Sequence, residues 1–231
     1  PVLVHAYISG SAVTATNHIS IDADADDDID AKVDAIAVAI GVGAIGVAAS
    51  GAGVDVQNKI KTDVKSYIAH TTGTGVKSST GNILVTADDT STLTAKAFAA
   101  SIAGSAGVIG GSLSLSVALA KNTINNVVYA YVESSTVVTT FGNLSVRAIE
   151  NATIDARAAA AAVSASLSIG VSFAGGGAET QAIVNSVTKA YVNSSTLTLT
   201  GDLLVDAQSN TSAIAKVEAT SASFGLIAAA A

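Results

Sequence analysis

The 231 residues carry a formal charge of −7, from 11 Lys and Arg against 18 Asp and Glu, so no basic stripe is available to release counterions from phosphates; the balance argues against a nucleic-acid partner. Cysteine, methionine and tryptophan are absent and proline occurs once. Disulfide frameworks and thiolate metal sites are thereby excluded, and small side chains must fill whatever interior forms.

The chain opens on Pro1-Val2-Leu3-Val4-His5, which matches the residues that precede later copies of one recurring text. That text begins at Ala6-Tyr7-Ile8 and returns at Ser66-Tyr67-Ile68, Ala130-Tyr131-Val132 and Ala190-Tyr191-Val192, the tyrosines standing 60, 64 and 60 residues apart. Each copy continues with a Ser/Thr-rich stretch, a Gly-Asn or Gly-Asp pair, a strand ending Val-x-Ala, a short acidic or amide turn, and a long Ala/Gly/Ser-rich run. Self-similarity at a fixed period is the mark of a stacked array whose units bury apolar faces only against neighbours. We read residues 1–231 as one continuous array cut from a longer chain, with repeats 7–66, 67–130, 131–190 and an incomplete 191–231 that ends at Ala228-Ala229-Ala230-Ala231.

In the first copy the pair Asn17-His18 stands where later copies have Gly81-Asn82, Gly142-Asn143 and Gly201-Asp202. Glycine beside asparagine between alternating strands predicts a tight turn using a positive φ. The strands that follow set Ile19, Ile21 and Ala23, then Ile83, Val85 and Ala87, Leu144, Val146 and Ala148, and Leu203, Val205 and Ala207, in one inward column.

Next in the first copy comes an acidic run, Asp22, Asp24, Asp26, Asp27, Asp28 and Asp30, with Asp88-Asp89 at the matching place in the second. Hard oxygen ligands gathered at a turn suit calcium, which makes these six the candidate metal site; the competing reading is a solvated turn whose charges discourage edge association. The run lacks both the EF-hand spacing and the nonapeptide calcium pattern.

Three uncharged runs follow, at 35–54, 97–120 and 158–178, each long enough to cross a bilayer as a helix. Their period excludes that. From Val163 to Phe173 apolar residues, all large but Ala165, hold the odd positions and Ser or Gly the even ones, and Leu113, Leu115, Val117 and Leu119 alternate with small residues in the same way. A helix would scatter these side chains around its axis, and each glycine would cost up to about 1 kcal/mol. The alanines at 158–162 continue the strand, and Gly175-Gly176-Gly177 reads as the turn that sends the chain back toward Tyr191.

Together these elements predict an all-β fold: a β-solenoid of about 60-residue repeats, each divided into roughly three coils of about twenty residues, with tandem β-sandwich modules as the alternative. On that geometry the four tyrosines lie three coils, or roughly 14 Å, apart, too sparse for a sugar platform. Apolar residues on both faces of the long strands point to packing outside the coil, against a neighbouring solenoid.

The texts Ala-Tyr-Val-x-x-Ser-Thr at 130–136 and 190–196 and Gly-Asn-Leu-x-Val-x-Ala at 142–148, with the Ala/Gly-rich stretch after them, resemble the repeat arrays of very large bacterial filamentous adhesins, leukotoxin-like and more distantly hemagglutinin-type. The resemblance implies a secreted or surface-displayed fibre and carries no catalytic residues with it.

Nor do the residues offer a site for turnover. His5, His18 and His70 fall in different parts of the repeat, no nucleophile stands at a triad spacing from them, and the glycine clusters lack the Lys-Ser/Thr ending of a phosphate loop. Thr14 and Thr16, with Thr196, Thr198 and Thr200, hint at an ice-binding ladder that other copies interrupt, and the sequons at Asn143, Asn151, Asn193 and Asn210 are expected by chance in so Asn/Ser/Thr-rich a chain. The expectation is therefore a structural, non-enzymatic segment of an extracellular fibre or cell-surface adhesin, acting through rigidity and reach. Its expected partners are copies of itself or neighbouring solenoids, joined through strand edges or apolar faces, with membrane insertion disfavoured. A module binding glycan, cell surface or ice is the rival reading.

Overall fold

The computed structural model describes residues 1–225; the closing alanines 228–231 lie outside the described residues. All of its regular structure is β: β1 (Val2–Ser9), β2 (Val13–Ala15), β3 (Ile19–Val42), β4 (Ile45–Ile60), β5 (Thr62–Ala69), β6 (Val76–Ser78), β7 (Ile83–Ile124), β8 (Val127–Glu133), β9 (Thr136–Thr139), β10 (Leu144–Val184), β11 (Val187–Asn193), β12 (Thr196–Leu199) and β13 (Leu203–Gly225). Every pairing is parallel and joins a strand to its counterpart one repeat away, as in Tyr7 with Tyr67 and Ile83 with Leu144. Three sheets result, ordered β1-β5-β8-β11, β2-β6-β9-β12 and β3-β7-β10-β13, with β4 also on β7.

The fold is the expected solenoid, and its coil is larger than expected. Hydrogen-bonded neighbours lie a whole repeat apart in sequence, so one repeat makes one circuit and not three. The twenty-residue coil failed as a reading because strand alternation reports which face a residue occupies, not how far the chain runs before it turns.

Each of the first three coils has a three-sided base and a long fin, and the described residues of the fourth end on its outgoing layer. The base closes around Ile21, Val64, Val76, Val85, Val128 and Val146, and the predicted column Ile19, Ile83, Leu144 and Leu203 stands in register. From the base the chain runs outward along β7, reverses near Gly107 and Val108, and returns along the second half of the same strand; the first coil does so at Gly43-Ala44, between β3 and β4. In the third coil the reversal falls at the register shift between Leu167 and Ile169. The predicted turn at Gly175-Gly176-Gly177 lies instead inside β10.

In the outer fin of the second coil the two layers meet through small residues, Ala97, Ala99, Ser101 and Ala103 going out and Ser112, Ser114, Ser116 and Ala118 coming back, while nearer the base Leu93, Ile124, Ile154 and Val54 fill the space between layers. Ser101 Oγ lies 2.7 Å from Ser114 Oγ, and Ser114 Oγ donates to the Ser101 carbonyl at 2.8 Å. One serine bridging to the opposite backbone means the layers approach far more closely than the ~10 Å of ordinary stacked sheets. In the outer fin the alternation of the sequence is therefore inverted relative to a usual core: small residues face in and large ones face out.

The Gly-Asn corners work differently from the predicted tight turn. Gly81, Gly142 and Gly201 do not have positive φ. A Cβ on Gly142 would come within 2.3 Å of the Gly81 carbonyl oxygen, and one on Gly81 within 2.5 Å of the His18 nitrogen, so glycine is required by the neighbouring coil. The amide beside it ties the stack: Asn82 Oδ1 accepts from Asn143 N at 2.9 Å, and Asn143 Oδ1 from Asp202 N at 2.8 Å. His18 joins the same column, its Nδ1 accepting from Asn82 N. Positive φ occurs instead at the opposite corner, in the aligned residues Gly10, His70, Ser134 and Ser194.

Candidate functional site

The surface that sets this molecule apart is the outside of the fin. Alternation that puts Ala and Ser inside leaves Ile36, Val38, Ile40 and Val42 outward on the outgoing layer, with Ile45 and Val47 beyond the reversal; Ile40 is 76% exposed and Val42 79%. The next coils add Ile102, Leu113, Leu115 and Val117, then Val163, Leu167, Val171 and Phe173. Both faces and the tip are apolar and uncovered, a contiguous patch larger than soluble monomers usually expose. These are the three uncharged runs of the sequence, and none is helical; no helix among the described residues is long and apolar enough to cross a membrane.

The six aspartates do not gather. Asp22, Asp24, Asp26, Asp28 and Asp30 point outward along the extended β3, at successive steps of about 7 Å, while Asp27 points inward. The acidic run is therefore a strand and not a turn. Asp24 stands in register with Asp88, whose carboxyl is raised above its ordinary range by burial and then by the charges of Asp24 and Asp22. Among the described residues no three His, Cys, Asp or Glu side chains come together to hold a metal ion.

An interior polar cluster escaped the sequence reading. Where the base meets the fin, Asp89, Ser91, Asn122, Asn126 and Glu150 are all fully buried. Asn126 Nδ2 donates to Asp89 Oδ2 at 2.6 Å and to Ser91 Oγ at 2.8 Å, while Asn126 Oδ1 accepts from Thr62 N at 3.1 Å. Asp27 accepts from Thr62 Oγ1, and Glu150 from Thr188 Oγ1 at 2.7 Å. Each of the first three coils thus contributes one inward carboxylate, and the fourth has Ser209 in register with Glu150. Burial pushes Asp89 up to about 6, against the hydrogen bonds from Ser91 and Asn126 and with the charges of Glu150 and Asp27 adding to the rise. Parity was the available signal: Asp89 lies two residues after the inward Ala87, and Glu150 two after Ala148.

The tyrosines, expected about 14 Å apart, form one continuous stack. Ring centroids of Tyr7, Tyr67, Tyr131 and Tyr191 are 5.0, 4.8 and 5.0 Å apart with interplanar angles of 6° or less. Burial, with the neighbouring phenols, holds Tyr131 at about 12. Lys65 and Lys189 flank the Tyr129 ring at 5.9 and 5.4 Å.

The histidines stay apart: His5 lies 3.5 Å from Asp63 on the first sheet, His18 sits in the amide corner and His70 in the positive-φ corner. The threonine ladder is broken, since Lys77 and Val138 occupy the column of Thr14 and Thr198. Sequon amides are engaged between coils, Asn210 donating to Asn151 at 3.1 Å and Asn193 to Glu133 at 3.4 Å.

Comparison with known protein families, with curated proteins and with solved structures returns no match.

Proposed function

We propose that this chain is a structural segment of an extracellular bacterial fibre or giant surface adhesin, self-associating and without turnover. The observation that carries the reading is the fin: a stacked, serine-bridged double layer whose outer stretch turns small residues inward and large apolar ones outward. A chain that hides alanine and displays isoleucine, leucine and phenylalanine has its hydrophobic stabilisation still to gain, and gains it by association. The cysteine-free composition and the adhesin-like repeat text accord with display outside the cell.

The rival reading, a binding module, draws on the tyrosine column. Its rings lie face to face, so the π faces that would stack on a sugar are covered by one another and only ring edges and hydroxyls meet solvent. That favours a structural ladder.

Electron microscopy of the purified chain with fibre diffraction decides between them. Extended assemblies with an axial spacing near 4.8 Å are expected; monodisperse particles at all concentrations would overturn the structural reading.

A further inference from the structure

The fin's two faces are not alike, and they match. Ser101 faces Ser114 across the seam of the second coil, and Ser50 Oγ reaches the Ala37 carbonyl across that of the first. Counting back from these pairs toward the base, Lys32 and Asp55 stand back to back at one depth, as do Lys96 and Leu119, and register extends the level to Arg157 and Glu179. The outgoing face therefore carries a column of four cations, Lys32, Lys96, Arg157 and Lys216, in unbroken register, a short basic stripe that the net charge of −7 conceals, contrary to the expectation from sequence that none is available. The return face carries Asp55 and Glu179 at the same level.

One step nearer the base the signs reverse. Asp30 and Asp155 lie on the outgoing face and Lys121 on the return face; a further step sets Asp28 against Lys59. Asp34 and Glu218, one step toward the tip, border the basic column, Asp34 bridging to Lys32 at 3.1 Å. Above these borders both faces are uncharged to the tip.

We propose that the fin docks against a second copy of this chain, the outgoing face of one copy on the return face of the next, all fins pointing the same way. This deepens the structural reading above and rests on it. In that arrangement equal depths meet, so the cation column of one copy lies on Asp55 and Glu179 of its neighbour, and the reversed pairs nearer the base follow. Packing like face on like face would oppose column to column of the same sign.

The occupant is a copy and not a membrane, because the alternating charge levels find complements only on a surface bearing the same levels in opposite sign. Strands of about ten residues over three or four coils make each face roughly 500 Å² in projection. One docked pair of faces therefore buries about 1,000 Å² in total, the low end of specific interfaces, and a copy inside the row makes two such contacts. The two faces differ, so the contact is head to tail and does not close: rows grow open-ended across the solenoid axis.

The test reverses one face and then the other in the 231-residue chain. The variant Lys32→Glu, Lys96→Glu, Lys216→Glu should raise the concentration needed for assembly at least tenfold in sedimentation velocity, with the β circular-dichroism spectrum unchanged. Adding Asp55→Lys and Glu179→Lys to it should restore assembly toward the wild-type concentration. Assembly of wild type that is indifferent to both sets of changes would overturn face-to-face docking and leave association through strand edges, and with it the structural reading, intact. Wild type that stays monomeric while co-sedimenting with phosphatidylglycerol vesicles would overturn that reading too.

Discussion

Asp89 and Glu150 occupy the same inward position in successive coils, both fully buried, and each keeps one carboxylate oxygen without a hydrogen-bond partner. Burial, with the charge of Glu150 one rung away adding to it, makes the ionised form of Asp89 costly. With its folded-state value at about 6 and an unfolded one near 3.8, Asp89 binds more proton in the fold than in the open chain between those limits. Stability conferred by that proton is complete below pH 3.8, is lost as pH rises through 6, and stays lost above it. Thermal unfolding followed by circular dichroism should therefore give a Tm that falls from pH 4.5 to pH 7. Asp89→Asn should flatten much of this slope and raise Tm at pH 7; a wild-type Tm independent of pH would contradict it.

Ser134 sits exposed in the positive-φ corner at φ 47°. Because its side chain meets solvent, substitutions there test backbone conformation alone. Ser134→Gly should leave stability within about 0.5 kcal/mol, whereas the β-branched Ser134→Val should cost about 1 to 2 kcal/mol. Urea unfolding of the two variants gives the difference, and equal midpoints would remove strain from the account.

Neighbouring alanines in the fin should respond in opposite ways. Ala99 is buried in the serine seam and Ala100 points outward. Ala99→Leu forces the layers apart and should cost about 3 kcal/mol or prevent folding of the fin, while Ala100→Leu should fold with a Tm close to that of wild type. Limited proteolysis reads this directly: cleavage within residues 97–118 is expected for the first variant and not for the second.

At the amide corner, Asn143→Ala removes the acceptor for the Asp202 N–H, whereas Asn143→Asp keeps an oxygen in place. Loss of one such bond is worth roughly 1 kcal/mol. Hydrogen exchange should show faster exchange at the Asp202 amide in the alanine variant and near-normal protection in the aspartate variant.

Much of the base could be read from the chain. The column running from Ile19 to Leu203 and the equivalence of the four tyrosines followed from repeat spacing, since parallel stacking keeps every equivalent residue in line. The size of the coil could not, because strands such as β7 and β10 turn over on themselves with almost no break in Ala/Gly/Ser composition. Gly175 illustrates the difficulty: three consecutive glycines announce a turn locally, yet the reversal falls on Leu167-Ser168-Ile169, where the register slips. The fin was half legible. Alternation separated its two faces without saying which one is covered, and the Ser101–Ser114 contact shows that the small residues form the seam.

A coil of sixty residues has a consequence for economy of growth. Each added repeat lengthens the stack by one strand spacing, about 4.8 Å, where three twenty-residue coils from the same chain would have added about 14 Å. Per residue synthesised, this fold advances a third as far as a slender solenoid and invests the remainder in width. Its product is a broad ribbon rather than a long tether, better suited to tiling an area than to bridging a distance.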